Sequence, residues 1–299
     1  METRRAVILS ALVAVILLTF TLTASADSSY SALIVYGDSL TDNGNLFAAI
    51  GYPPAPYFNG RFSNGPVSSE QFAGLLGVPL LDFAWGGATS GLGNQVDGGS
   101  QTTLGALNLP GMMVELAKYP VPPALIPSSL FLVWGGANDF ETGGSPTVAA
   151  ANIDAIVAAL EAEGATHILV PGLPDLGLTP EFLGVQAATD YTNAFNSALL
   201  AGLPPGATYF DTFAFLNGIE ADPSKYGITN VTAPCFDGTT VCSNPSQYLF
   251  WDDIHPTTTV DTILAEQFDA ATTPEPSSIL LFGSGIVAMA GLIRRRKTA

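Results

Sequence analysis

Basic residues are scarce in this 299-residue chain, which has nine Lys and Arg against 26 Asp and Glu and a formal net charge of −17. Between residues 27 and 273 the imbalance is larger, with three basic residues against 24 acidic ones, a net charge of −21. Such a surface repels phosphate backbones and anionic lipid headgroups, so we expect no nucleic acid partner. Charged residues make up only 12% of the chain, unlike a high-charge disordered chain, so this region should fold.

Long apolar runs are confined to the two ends of the chain. Residues 6–18 follow Arg4 and Arg5 and precede small residues at 24–26, which is typical of a secretory signal peptide over residues 1–26. Near the other end, an apolar stretch at 277–293 is followed by four basic residues. Its length corresponds to about 25 Å of helix, the low end of a membrane span. The basic tail favours a cytoplasmic C-terminus, with the intervening domain outside.

Cysteine and histidine are also scarce, with two of each. In an exported chain, Cys235 and Cys242, seven residues apart in a loop with Pro, Asp and Gly, are expected to form a local disulfide. A metal-binding pair is the alternative, which the lack of a further Cys or His at ligand spacing disfavours. We expect no metal and no cofactor.

Five short stretches that are apolar throughout predict the strands of a parallel sheet covered on both faces. They lie at 32–36, 78–84, 129–134, 167–170 and 208–210. Helices are predicted between and after them, at 66–77, 145–164, 180–201 and 257–271. Strands that alternate with helices imply right-handed crossovers and a three-layer α/β/α sandwich.

Small and polar residues follow three of the predicted strands. Asp38 and Ser39 follow the first, Gly86 and Gly87 the second, and Asn138 the third. Ligands bind at the carboxyl ends of the strands in such a sheet, so we expect these residues to converge on one site.

A serine hydroxyl becomes a nucleophile when a base takes its proton and a third group orients that base. Of the two histidines, His167 begins an apolar strand and is expected to be structural, whereas His255 lies in the loop "FWDDIHPT". Asp252 precedes His255 by three residues, so a single turn would bring its carboxylate to the imidazole. Asp253 is the alternative partner. The sequence therefore predicts Ser39 as a nucleophile.

Acyl transfer also needs hydrogen-bond donors for the developing oxyanion. The backbone N–H groups of Ser39 and Gly87 and the side-chain amide of Asn138 are the candidates. Thr41 occupies the last glycine position of the G-x-S-x-G motif, so the α/β-hydrolase fold is disfavoured.

Four blocks of this sequence resemble those of the GDSL/SGNH hydrolase family. They are "GDSL" at 37–40, Gly87 in "DFAWGGATSG", Asn138 in "GGAND", and "WDDIHPT" at 251–257. The connecting segments "YFNGRFSNGPVSSEQFA" and "LVPGLPDLGLTP" resemble its secreted lipase/esterase branch. The similarity covers about residues 31–270.

This resemblance implies a flavodoxin-like fold with a five-stranded parallel sheet. It also implies that Ser39 is the nucleophile, that His255 acts as general base and then acid, and that Asp252 orients the imidazole. The Ser39 and Gly87 N–H groups and the Asn138 side chain would form the oxyanion hole.

Four neighbouring residues carry separate expectations. Trp85 is bulkier than the residue expected beside this glycine pair, so it should narrow the mouth of the site. Asp38 and Asp42 are expected to bond local backbone rather than take part in chemistry. Arg61 is expected to form an ion pair rather than to clamp the substrate.

The C-terminal segment resembles the PEP-CTERM sorting signal of Gram-negative bacteria, with Pro274-Glu275-Pro276, an apolar helix and an arginine cluster. The resemblance implies processing by an exosortase-type enzyme, with a tether to the inner membrane beforehand and a cell-surface or extracellular location afterwards. A permanent membrane anchor is the alternative. The expected domains are a signal peptide at 1–26, a catalytic domain at 27–272 and a sorting segment at 273–299.

The leading functional hypothesis is a secreted or surface lipase or carboxylesterase that cleaves lipid or other carboxylic esters through an acyl-enzyme. One alternative is a polysaccharide acetylesterase. Another is a non-catalytic adhesion protein on the same scaffold, which would be expected to lack at least one of Ser39, Asp252 and His255.

Overall fold

A five-stranded parallel sheet forms the centre of the computed structural model, which describes residues 30–273. The strands are β1 Leu33–Gly37, β2 Leu80–Asp82, β3 Leu130–Trp134, β4 Ile168–Pro171 and β5 Ala207–Phe210. They are ordered β2-β1-β3-β4-β5, and all neighbours pair in parallel. The strand order reverses beside β1, so the carboxyl ends of β1 and β3 border the crevice where open α/β sheets bind ligands.

Eight α-helices lie within the described residues. They are α1 Asn45–Ile50, α2 Ser68–Leu76, α3 Met112–Lys118, α4 Ala137–Glu141, α5 Pro146–Ala162, α6 Gln186–Gly202, α7 Thr212–Ala221 and α8 Thr258–Thr272. The start of α5 at a proline follows from the fixed backbone angle of that residue, and α2 is terminated by Gly77 in a left-handed conformation.

Alternate residues of each strand enter two separate cores, one on each face of the sheet. Ile34 and Tyr36 pack into the core that contains residues of α3, α5 and α6. Leu33 and Val35 pack into the core that contains residues of α2 and α8. Helices therefore cover both faces, which confirms the predicted three-layer α/β/α sandwich and its five-stranded sheet.

A second, two-stranded sheet was not predicted. Its strands are β6 Asn230–Pro234 and β7 Tyr248–Phe250, which pair in parallel with an irregular register. The central residues of β6 are half-buried or exposed, so this strand lacks the continuous apolar pattern that revealed the others. Helices α1, α3, α4 and α7 were also not predicted, because five to ten residues are too few to show a clear helical period.

Among residues 30–273, no helix combines the length and the apolar character needed to cross a membrane. The signal peptide predicted at 1–26 and the apolar segment predicted at 277–293 both lie outside the described residues.

Candidate active site

Ser39 lies in a tight turn directly after β1. Gly37 is required before it, because a Cβ there would lie 2.5 Å from Thr41 Oγ1 and 2.7 Å from the Trp134 carbonyl oxygen. The Leu40 N–H donates to Asp38 Oδ1 at 3.0 Å, which closes the turn. The turn thus places the Ser39 hydroxyl at the carboxyl edge of the sheet, beside the end of β3.

Ser39, His255 and Asp252 form a chain of hydrogen bonds. Ser39 Oγ lies 2.7 Å from His255 Nε2, and His255 Nδ1 lies 2.8 Å from Asp252 Oδ2 and 3.0 Å from Oδ1. An ionised carboxylate only accepts hydrogen bonds, so the neutral imidazole carries its proton on Nδ1. Nε2 is then free to accept the serine proton.

The short loop between β7 and α8 holds the Asp252 carboxylate against the imidazole. The backbone N–H groups of Ile254 and His255 donate to Asp252 Oδ1 at 2.9 and 2.7 Å. The Trp251 N–H donates to the His255 carbonyl oxygen at 2.7 Å. Hydrogen bonds within residues 251–255 therefore form the single turn that the three-residue spacing of Asp252 and His255 predicts.

The two partners shift each other's pKa. Burial alone would lower the pKa of His255, but the charge and hydrogen bond of Asp252 outweigh it, and the net effect is a raised pKa. Burial alone would raise the pKa of Asp252, yet the His255 charge and the donated N–H groups lower it to about 2. Asp252 is therefore charged at neutral pH.

Gly87 and Asn138 lie where the sequence placed them, after β2 and at the start of α4. Gly87 has a φ of 78°, and a Cβ there would lie 2.6 Å from both Asn94 Oδ1 and Val96 Cγ2. Within residues 30–273, the N–H groups of Ser39 and Gly87 have no hydrogen-bond acceptor. Asn138 Nδ2 donates to the Ala88 carbonyl oxygen at 2.9 Å, which fixes the amide beside Gly87, and more weakly to Asp38 Oδ2 at 3.5 Å.

Asp42 accepts a long-range hydrogen bond in addition to the local backbone bonds expected of it. Its carboxylate accepts the N–H groups of Gly44, Asn45 and Leu46 at the start of α1. It also accepts the N–H of Gly86, 44 residues away, at 2.7 Å. This one side chain therefore ties the Ser39 turn to the loop that carries Gly87.

These residues open into a cavity of about 560 Å³. The lining includes Asp38, Ser39, Gly87, Asn138, His255, apolar side chains such as Leu40, Ile50, Phe62 and Val96, and the carboxylates Glu141 and Glu181. Trp85 is not among the lining residues; its ring lies beneath Lys118 Nζ, 5.7 Å from the ring centroid. The expectation that Trp85 narrows the mouth of the site is therefore wrong.

Other predicted residues lie outside the hydrogen-bonded chain. Arg61 forms an ion pair with Glu70 at 2.7 Å, and His167 precedes β4 at the opposite edge of the sheet, against the ring of Tyr30. The Asp253 carbonyl oxygen accepts the Glu181 N–H, while Asp252 is the residue that contacts the imidazole.

Cys235 and Cys242 form a disulfide bond in a loop between β6 and β7. The Cys235 N–H donates to the Phe250 carbonyl oxygen at 3.1 Å, and the Phe236 N–H donates to the Trp251 carbonyl oxygen at 2.6 Å. The disulfide loop thus packs against the strand that leads into Asp252.

The roles of three side chains of the site were not predicted, although Tyr57 and Phe62 lie in the segment "YFNGRFSNGPVSSEQFA" that resembles the family. Tyr57 Oη donates to Asp252 Oδ2 at 2.7 Å, and the Phe62 ring lies 4.9 Å from the His255 ring. Glu115, fully buried on α3, accepts the Gly37 N–H through Oε2 at 3.1 Å. Tyr57 lies 195 residues from Asp252 in a proline-rich segment, so sequence spacing could not connect them.

The class of protein follows from this geometry, since a serine joined through histidine to a buried carboxylate at the edge of a parallel sheet is equipped for acyl transfer. Residues 33–268 match the family of GDSL-like lipases and acylhydrolases, so the chain belongs to that family and is an ester hydrolase. Residues 272–297 match the PEP-CTERM protein-sorting motif. Both family resemblances are thereby confirmed, and the non-catalytic alternative loses its basis.

Individual relatives are distant. The chain is 27% identical to a phosphatidylcholine-sterol acyltransferase of Aeromonas hydrophila, over 81% of this chain and 90% of that protein. It is 29% identical to the thermolabile hemolysin of Vibrio parahaemolyticus, over 79% of this chain but only 62% of the hemolysin. Among solved structures, the acetylxylan esterase Axe2 of Geobacillus stearothermophilus is similar with 14% identity and a TM-score of 0.49, covering 83% of this chain and 97% of that one.

Proposed function

We propose that this protein is a serine esterase or lipase in which Ser39 is the nucleophile, His255 the general base and then acid, and Asp252 the group that orients the imidazole. The observation that carries the proposal is the unbroken chain of hydrogen bonds from Ser39 Oγ to Asp252 at the floor of the cavity. The Ser39 and Gly87 N–H groups and the Asn138 amide are proposed as the oxyanion hole.

The reaction follows from these positions. Ser39 Oγ attacks the ester carbonyl carbon while His255 Nε2 takes the hydroxyl proton, and the carbonyl oxygen becomes an oxyanion beside the unpaired N–H groups. Collapse of this intermediate expels the alcohol, which receives the proton from His255 and leaves an acyl-enzyme. A water molecule then attacks the acyl carbon and gives a proton to His255. The carboxylic acid leaves, and the proton returns to Ser39.

The proposed substrates are lipids or other carboxylic esters with a largely uncharged acyl group. Ile50, Phe62 and Val96 supply an apolar wall for such a group, and burying a chain against them is favourable by about 0.8 kcal/mol per CH₂. Rates with p-nitrophenyl esters of graded acyl length test this. A preference for acetate over all longer chains would contradict the lipid substrate.

The test of the mechanism is replacement of the two reacting side chains. Ser39→Ala and His255→Ala should each remove nearly all hydrolysis of p-nitrophenyl esters, and the double variant should be little worse, because such residues act as a unit. Ser246→Ala, at an exposed serine in the 3-10 helix Pro245–Gln247 before β7, is the matched control and should keep full activity. Activity of Ser39→Ala within tenfold of the unmodified protein would refute the mechanism.

We further propose the division into a signal peptide at 1–26, a catalytic domain at 27–272 and a sorting segment at 273–299, with export, a membrane tether and processing by an exosortase-type enzyme. The matched sorting motif and the four basic residues at 294–297 support this order of events. Intact-mass measurement of the protein from its native host should show loss of both ends. A mature form that retains 294–297 would instead indicate a permanent anchor.

A further inference from the structure

Tyr57 donates its hydroxyl to the carboxylate oxygen that also faces the imidazole. Asp252 Oδ2 lies 2.7 Å from Tyr57 Oη and 2.8 Å from His255 Nδ1. We propose that Tyr57 is a positioning residue that fixes the Asp252 carboxylate and lowers the basicity of His255 by sharing that oxygen. The proposal rests on the function proposed above for Ser39, His255 and Asp252.

The two oxygens of Asp252 are held in different ways. Oδ1 accepts the backbone N–H groups of Ile254 and His255, which belong to the same turn. Oδ2 has one donor from outside that turn, the Tyr57 hydroxyl. Tyr57 therefore anchors the carboxylate to a distant part of the chain and resists its rotation away from Nδ1.

The phenol ring is held in place by three aromatic neighbours. Its centroid lies 6.0 Å from that of Phe62, 5.7 Å from that of Phe236 and 6.2 Å from that of Trp251, each in an edge-to-face arrangement. This geometry is the favoured one for aromatic pairs. Phe62 in turn lies 4.9 Å from the His255 ring, so the same cluster supports both the tyrosine and the imidazole.

The Tyr57 hydroxyl keeps its proton and therefore acts as a hydrogen-bond donor to Asp252. Burial, followed by the charge and hydrogen bond of Asp252, raises the pKa of Tyr57 far above its ordinary value. A donor on Oδ2 withdraws negative charge from the carboxylate, and a less negative carboxylate stabilises the imidazolium less. Removal of the Tyr57 hydroxyl should therefore raise the pKa of His255.

Several other ionisable groups act on this pair and must stay unchanged in the test. Asp38, Glu141 and Glu181 face His255, and Tyr52 faces Asp252. Asp253 faces Tyr57 itself. Tyr57→Phe leaves all of these side chains unchanged. It removes only the Tyr57 hydroxyl and keeps the ring that packs against the aromatic neighbours.

The most direct experiment is an NMR titration of the full chain labelled with ¹⁵N in histidine. The chain has two histidines, so a His167→Gln variant assigns the ring signals without ambiguity. In Tyr57→Phe the titration of His255 should move to higher pH by about 0.5–1 unit, since one unit corresponds to about 1.4 kcal/mol and a charge-assisted hydrogen bond is worth about that much. This readout does not depend on any substrate.

Kinetics give the second readout. With p-nitrophenyl esters, kcat of Tyr57→Phe should fall about three- to tenfold with little change in KM, and the acid limb of kcat/KM should move up with the titration. Tyr248→Phe is the matched control, because the Tyr248 hydroxyl on β7 makes no hydrogen bond within residues 30–273. In Tyr248→Phe, the titration of His255 and the value of kcat should equal those of the unmodified protein.

A folded Tyr57→Phe protein whose His255 titrates at the original pH or below it would overturn the proposal and reduce Tyr57 to a packing residue. Failure of the proposed function looks different, because Ser39→Ala would then remain active whatever the titration shows.

Discussion

Asp252 and Glu115 are both buried near the Ser39 turn, yet their pKa values are shifted in opposite directions. Asp252 faces two backbone N–H groups, a tyrosine hydroxyl and an imidazole, and its pKa is lowered to about 2. Glu115 accepts one N–H, from Gly37, and its Oε1 has no partner within residues 30–273. Burial raises its pKa well above the ordinary value.

Burial raises the pKa of a carboxyl group, and at Asp252 the charge of His255 together with its hydrogen bonds and the donated N–H groups outweighs that effect. Donated N–H groups alone do not, since Asp42 accepts four of them and its pKa is still raised. Asp38 is an intermediate case. It is buried beside Ser39, and burial raises its pKa to about 7 although the Leu40 N–H and the charge of His255 both oppose that rise. Asp252 thus supplies a negative charge beside His255, whereas Glu115 and Asp42 accept hydrogen bonds from the backbone N–H groups of Gly37 and Gly86.

The largest test of this comparison is Asp252→Asn. The backbone N–H groups of Ile254 and His255 would hold the amide oxygen in the Oδ1 position, so the NH₂ group would face Nδ1. The imidazole would then adopt the other tautomer, and kcat should fall about 10⁴-fold. The same carboxyl-to-amide change at Glu115 should alter kcat less than about threefold, because Glu115 supplies no charge to the imidazole. Steady-state hydrolysis of a p-nitrophenyl ester measures both. Equal losses in the two variants would show that the distinction between the two carboxyl groups is false.

The strands and the catalytic residues were largely predictable from the sequence, because each depends on residues that are close together in the chain. The strands were apolar throughout, and Asp252 and His255 are joined within one turn, so both appear as short patterns. Tyr57 and Glu115 contact the site across 195 and 78 residues. The segment that begins at Tyr57 resembles the family, but sequence spacing ties neither residue to its partner in the site. Asp42 was recognised as a local turn residue, but its bond to Gly86 depends on the pairing of β1 with β2. Non-local contacts of this kind come from packing rather than from spacing.

Asp42→Asn tests whether a buried carboxyl group that contacts only backbone N–H groups affects catalysis through the position of that backbone. Asparagine would place an NH₂ group against either the Gly86 N–H or the N–H groups of α1, so the Gly86–Gly87 loop should shift. A misplaced oxyanion donor costs about 10²-fold in kcat with little change in KM. The kcat and KM values measure this, and Asp211→Asn, an exposed helix cap on α7, is the control. An effect confined to KM would mean that Asp42 shapes the binding cavity rather than the oxyanion hole.

The smallest expected effect is on stability, in Glu115→Gln. Because the folded pKa of Glu115 is raised, its protonated form stabilises the fold fully below its unfolded pKa of about 4.5, and that contribution is lost as pH rises toward the folded pKa. Glutamine keeps a carbonyl acceptor for the Gly37 N–H and does not ionise. Its stability relative to the unmodified protein should therefore improve with pH, by up to about 1.4 kcal/mol per pH unit above pH 4.5.

Urea unfolding at pH 5 and pH 8 measures this change, with Glu220→Gln on the exposed side of α7 as the control that should show no pH-dependent difference. Any constant cost of burying the extra NH₂ group appears at both pH values and cancels in the comparison. If Glu115→Gln lost stability relative to the unmodified protein between pH 5 and pH 8, Glu115 would have to be a charged group in the fold. Glu115 and Asp252 would then be alike, and the contrast drawn between the two buried carboxyl groups would be wrong.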